Sequence, residues 1–203
     1  MRQTKKTLEL VQLAMLVALV VVLQLISAII PPIGGTVSIT LTLVPVVVGA
    51  ILFGKRGGLI LGFTFGLIVM INCITALDFG GNILWSINPL LTAIICLIKG
   101  IAAGFVPALI YKLAIGKNEN PSASRKYVSS LLAAISAPIV NTGLFVCGML
   151  FFFMDTLKTW AGDSNLVTYV FLGLAGLNFL VEFLINIILT PAITRIVDVV
   201  KRR

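Results

Sequence analysis

Apolar residues along this chain come in long runs separated by short polar segments. The runs predict six helices: Leu8–Ile30, Leu41–Phe53, Gly57–Ile74, Pro89–Ile115, Tyr127–Met154 and Leu166–Val199. Most of them reach the ~20 residues needed to cross a hydrocarbon core of about 30 Å. The second is short. Ahead of it, Ser38, Thr40 and Thr42 alternate with Ile39 and Leu41, a period of two that predicts an extended approach segment. Such backbone is tolerated at membrane depth only where it lines protein or a cavity. The last run is long enough to tilt or to extend past the bilayer.

Composition agrees with the pattern. Hydrophobic residues make up 59% of the 203 residues, charged residues 11%, and the mean hydropathy is +1.14. A soluble domain carries about 25% charged residues. The fold class expected is an all-α membrane protein, a six-transmembrane-helix bundle forming one integral membrane domain over residues 1–203. The N-terminal run after Met1–Lys6 is too long for a signal-peptide core and lacks a small-x-small cleavage site, so it reads as a retained first helix.

The net charge of +8 does not read as nucleic-acid affinity. The basic residues stand at the ends of spans: Arg2, Lys5 and Lys6; Lys55 and Arg56; Lys112, Lys117, Arg125 and Lys126; Arg195 and Lys201–Arg203. That is the distribution of cytoplasmic anchors rather than of a groove that tracks phosphates. With both termini cytoplasmic, the outer segments are Pro31–Val37, Thr75–Asn88 and Asp155–Asn165. They hold Lys158 against Asp78, Asp155 and Asp163, three acids that read as solvated loop residues.

Two ionisable residues lie inside otherwise apolar runs, Lys99 and Glu182. A charge at bilayer depth costs at least ~2.5 kcal/mol unless it is paired or hydrated. Asn178, Glu182 and Asn186 recur every four residues, on one side of a helix. Asn88, Thr92, Cys96 and Lys99 form a similar stripe, and Asn141 and Thr142 follow Pro138 in the fifth helix. Lys99 sits roughly 15 Å below the outer end of its span, and Glu182 at a similar depth. The expectation is a polar funnel open to the outside, with Lys99 and Glu182 meeting at its floor. The pair reads either as a structural ion pair or as ligand contacts. Trp85 reads either as an interfacial anchor or as a ligand contact.

Other chemistry is missing. The chain has no histidine, no Walker loop, no nucleophile elbow and no metal-ligand cluster, and Cys73, Cys96 and Cys147 read as packing residues. No enzyme, cofactor or metal is expected. Gly58, Gly62 and Gly66 in the third helix and Gly100 and Gly104 in the fourth form small-xxx-small ridges that allow close helix packing; Ala14 and Ala18 form a weaker one.

The stretch Ser38-Ile39-Thr40-Leu41-Thr42-Leu43-Val44-Pro45-Val46-Val47-Val48-Gly49-Ala50-Ile51-Leu52-Phe53-Gly54, followed by Gly57-Gly58 and Gly62-Phe63-Thr64-Phe65-Gly66-Leu67, resembles a segment of the S-components of energy-coupling factor (ECF) vitamin transporters. Lys55 stands where many members have proline. Asn88-Pro89 and Pro138–Gly143 look like one branch of that family, the branch associated with pantothenate.

The resemblance implies a six-helix protein that binds a vitamin or its precursor from outside the cell membrane. Such proteins dock on a transmembrane coupling subunit with two cytoplasmic ATPases, which consume the ATP, and are thought to topple within the membrane to deliver substrate. Ala14 and Ala18 match the family's docking ridge. A pantothenate carboxylate would suit Lys99, and its hydroxyl and amide groups would suit Asn88, Asn141 and Asn178. Glu182 would either neutralise Lys99 or favour an amine-bearing ligand. Folate, cobalamin and pyridoxine-like substrates stay open. So do a stand-alone secondary transporter, with Glu182 as the coupling carboxylate, and a ligand-free membrane scaffold.

Overall fold

The computed structural model describes residues 2–29, 41–116, 121–174 and 176–201. The chain runs through α1 (Arg2–Ile29), α2 (Leu43–Ile74), α3 (Phe79–Ile87), α4 (Pro89–Ile115), α5 (Ala123–Phe152), α6 (Met154–Ala161), α7 (Leu166–Thr168), a π turn (Tyr169–Leu174) and α8 (Gly176–Lys201), with no strand among the described residues. Among the described residues, five helical stretches are long and apolar enough to cross a membrane: Lys6–Ala28, Leu43–Ile74, Pro89–Ile115, Ala123–Phe152 and Asn178–Val200. The protein is an integral membrane protein. The expected Pro31–Gly35 turn, the alternation at 38–40 and Lys117 lie outside the described residues.

Five crossing stretches stand where the sequence predicts six, because α2 takes in the second and third predicted spans. It is not one straight helix. Gly54 has φ 64° and ψ −151°, a backbone state open to glycine and costly for other residues. A Cβ built on Gly57 would lie 2.8 Å from the Gly49 carbonyl oxygen, and one on Gly58 3.3 Å from Ala50 Cβ. Residues eight apart in a straight helix are separated by about 12 Å. Residues 43–53 and 55–74 therefore fold back on each other as two arms. The first arm is ~16 Å long, about half of a hydrocarbon core. Lys55 and Arg56 are exposed beside the reversal, and Lys55 Nζ lies 5.3 Å from the centre of the Phe105 ring.

The second arm of α2 packs antiparallel on α4 through bare backbone. Gly58 meets Gly104, Gly62 meets Gly100, and Gly66 meets Cys96; a Cβ on Gly66 would stand 2.6 Å from the Cys96 carbonyl oxygen. Both predicted glycine ridges thus belong to one interface, where small residues let backbones touch and dispersion replaces the hydrophobic effect. α5 covers α4 and meets α8, buries Ala133, Ala134 and Ala137, and is joined to α8 by Lys126 Nζ and Asp198 Oδ1 at 2.9 Å. α1 lies on the outside. It turns Val20, Gln24 and Ser27 inward and leaves Leu10, Ala14, Met15, Ala18, Leu25 and their neighbours exposed.

Two other expectations need correction. The run Leu166–Val199 is not one regular helix: the π turn at Tyr169–Leu174 interrupts it, and Gly173 there sits against the Tyr169 ring. Asp78 is not a solvated loop acid. It is half-buried and caps α3, its Oδ1 accepting from the Gly81 N–H at 3.0 Å. α3 and α6, at the end of the bundle away from the basic residues, share a second apolar core that includes Leu84, Met149, Phe153 and Leu157.

Gly62→Val forces a side chain into the Gly100 backbone and is expected to cost at least 1–3 kcal/mol of overpacking energy. Gly143→Val, where a Cβ meets nothing within 4 Å, is expected to stay within about 0.5 kcal/mol of the parent. Thermal unfolding in detergent checks both.

Candidate functional site

Helices α1, α2, α4, α5 and α8 enclose a cavity of about 620 Å³, its open mouth included, in the half of the bundle away from the basic end. The second arm of α2 supplies Asn72, the turn after it supplies Asp78, and α4 supplies Lys99. Asn141 and Thr142 come from α5, Asn178 and Glu182 from α8, and Gln24 from α1. Apolar patches from Phe65, Val69, Phe145 and Leu174 separate them.

Local structure explains how each polar group reaches this depth. Asn178 and Glu182 are one helical turn apart on α8, after the π turn has reset its register. Pro138 leaves the carbonyl of residue 134 without its helical donor and bends α5 just before Asn141. Gln24 is held by Thr42, whose hydroxyl donates to its Oε1 at 2.8 Å in a buried contact between α1 and the start of α2. Asn186, the third member of the predicted α8 stripe, does not line the cavity. Its Nδ2 donates to the Glu182 carbonyl at 2.8 Å, and Thr190 donates in turn to the Asn186 carbonyl.

Four expected residues, Lys99, Asn141, Asn178 and Glu182, therefore line one cavity. Lys99 and Glu182 do not form the expected ion pair: among the described residues the salt bridge is Lys126–Asp198. The Lys99 ammonium instead rests over the Phe145 ring, 4.9 Å from its centre, a cation–π contact worth roughly 0.5–2 kcal/mol. Asn88 does not line the cavity. It caps α4, its Oδ1 accepting from the Leu91 N–H at 3.1 Å and its carbonyl from the Thr92 hydroxyl. Asn followed by Pro at the first helical position is the usual chemistry of a helix start. Trp85 does not line it either; it packs half-buried against the main apolar core.

Sequence reasoning missed Gln24 and Asn72. Each is the one amide in its apolar stretch (13–30 and 57–74), the same signal that singled out Lys99. Both are nearly fully buried, at 4% and 3% exposure. Asn72 Oδ1 and Asn141 Oδ1 are buried acceptors that receive no hydrogen bond among the described residues. An unfilled buried acceptor costs ~1–3 kcal/mol, and no donor among the described residues meets either one. The cavity thus offers one ammonium, two carboxyl groups and several amides to an occupant.

A model of the family "ECF transporter, substrate-specific component" matches residues 8–194. The chain belongs to this family. The S-component is also 29% identical over 191 residues to the pantothenic acid transporter PanT of Lactococcus lactis subsp. cremoris (strain MG1363), covering 89% of each chain. No solved structure matches it significantly. An S-component is a transport protein, in keeping with a cavity built for binding.

Asn141→Leu removes an unfilled acceptor from the S-component. It is expected to leave the ligand-free protein as stable as the parent or more so by up to about 1 kcal/mol, while ligand binding is lost. A purely structural Asn141 would show the opposite, a destabilised protein; thermal unfolding without ligand distinguishes the two.

Proposed function

We propose that this S-component captures pantothenate, or a closely related hydroxy acid, from outside the cell membrane for an ECF-type ABC importer. The observation that carries this reading is the cavity's pairing of one half-buried ammonium, outside any salt bridge among the described residues, with buried amide acceptors that receive no hydrogen bond among them. Pantothenate has the complementary set: a carboxylate for Lys99, and hydroxyl and amide N–H donors for Asn72 and Asn141, with Asn178 and Gln24 able to donate or accept. A charge-assisted hydrogen bond contributes ~1.5–3 kcal/mol. The relative named a pantothenic acid transporter supports the same choice. Glu182, one turn from Asn178, accepts from a ligand hydroxyl in this reading.

Lysine and arginine at one end of the bundle support a topology with both termini cytoplasmic. The cavity then opens outward and the α1 face with Ala14 and Ala18 stays available. Both alanines are exposed, which supports α1 as the surface that docks on a transmembrane coupling subunit carrying two ATPases. Those partners consume the ATP, and this chain needs no cofactor.

Pantothenate, in a screen of water-soluble vitamins against the purified chain in detergent, is expected to raise the unfolding temperature most. At a hundred times Kd the added stability is about 2.7 kcal/mol. A response to a different vitamin alone contradicts the substrate.

Ala14→Trp together with Ala18→Trp is expected to abolish co-purification with the coupling module while pantothenate binding stays within about twofold, well under the 1.4 kcal/mol of a tenfold change. Gradient-driven uptake by proteoliposomes holding this chain alone would contradict the importer reading.

A further inference from the structure

Lys99 and Phe145 line a second cavity as well, of about 430 Å³ including its mouth, which Asn141, Asn178 and Glu182 do not reach. Val69 and Asp78 are shared too, so these four side chains form the partition between the two spaces. The walls beyond the partition differ in character. Leu84 and Ile95 are buried and apolar, and Trp160 closes one side. The Cys73 and Cys96 sulfurs face each other at 3.9 Å. The Thr92 hydroxyl already donates to the Asn88 carbonyl, and Asp78 Oδ1 already accepts from Gly81. Gly81 keeps the space open, because a Cβ there would run into the Cys73 sulfur. Away from the Lys99 and Asp78 charges on the partition, the compartment therefore has little hydrogen-bonding capacity to spare and favours an aliphatic occupant.

The partition can yield. The lysine side chain is a flexible four-carbon stem, and its ammonium rests on a ring face rather than on a carboxylate. A ligand carbonyl or carboxylate that attracts it off Phe145 opens one space into the other.

We infer that the second cavity is an apolar subsite of the same binding site, which takes an aliphatic extension of the ligand beyond the group held by Lys99. The inference rests on the proposed pantothenate reading and deepens it. The ligand class is hydroxy-acid amides N-alkylated at the carboxyl end, with tails of three to five carbons. Their carbonyl still accepts from Lys99, and the tail enters among Leu84, Ile95, Cys73 and Cys96.

Calorimetric titration of the full chain in detergent with pantothenate, its N-methyl amide and its N-pentyl amide tests this, with displacement by pantothenate separating binding from micelle partitioning. Each buried methylene is worth about fourfold in affinity, so the N-pentyl amide is expected to bind at least about tenfold more tightly than the N-methyl amide and to be displaced by pantothenate. Cys73→Met fills the subsite and is expected to bring the two amides within about threefold, with pantothenate unaffected. Trp160→Ala, at a half-buried position, widens it and shifts the optimum to a longer tail. Equal affinity of the two amides for the parent overturns the inference, as does pantothenate binding with neither amide bound. If none of the three compounds binds, the pantothenate reading falls and this inference with it.

Discussion

A cation held at bilayer depth must be solvated by something other than bulk water. In this protein that demand falls on Lys99, and the surrounding architecture answers it in part. A ring face from α5 attracts the ammonium, and carboxyl and amide groups from α2, α8 and α1 stand around the same cavity. No salt bridge closes on it among the described residues. The remaining solvation is left to water or to a ligand anion, and the proposed function assigns it to the anion of the substrate.

The helix packing makes such a cavity affordable. In a membrane, helices gain nothing from hiding apolar surface, so they hold together by close contact. The glycine interface between the second arm of α2 and α4 brings backbone against backbone over Gly58–Gly66 and Cys96–Gly104. On α4 that contact runs past Lys99 to Cys96, less than one turn beyond it. Beyond it the helices carry Asn72, Cys73 and Thr92 in place of glycine, and the two cavities occupy that half of the bundle. The fold is tight where it needs only cohesion and open where it needs chemistry.

Much of this was legible in the sequence, for identifiable reasons. Hydropathy marks long helices because the bilayer forces long apolar runs, and the glycine ridges mark the α2–α4 contact because only small residues permit it. The stripe rule placed Asn178 and Glu182 together, and depth counting placed Lys99 beside them. The failures have physical causes too. The reversal at Gly54 falls where the sequence separates the second and third runs, and only the shortness of the first arm keeps it from counting as a full crossing. The π turn at Tyr169–Leu174 shifts register inside a run that reads as continuous. Asn88 looks like a polar member of a stripe, yet the proline after it makes it a cap. Gln24 and Asn72 are single amides with no periodic partner, and only tertiary structure shows that they converge. The Lys99–Glu182 pair was inferred from depth alone, and depth does not fix the distance between two side chains around a cavity.

The account stands on Lys99 as the counter-charge for a ligand carboxylate. A double-mutant cycle in calorimetry tests that directly, comparing pantothenate with its alcohol analogue, in which CH₂OH replaces the carboxylate, on the parent chain and on Lys99→Met. The account predicts that the parent prefers the acid by at least about tenfold, in line with a charge-assisted hydrogen bond, and that Lys99→Met removes this preference while still binding the alcohol. A preference for the acid that survives Lys99→Met unchanged would contradict it.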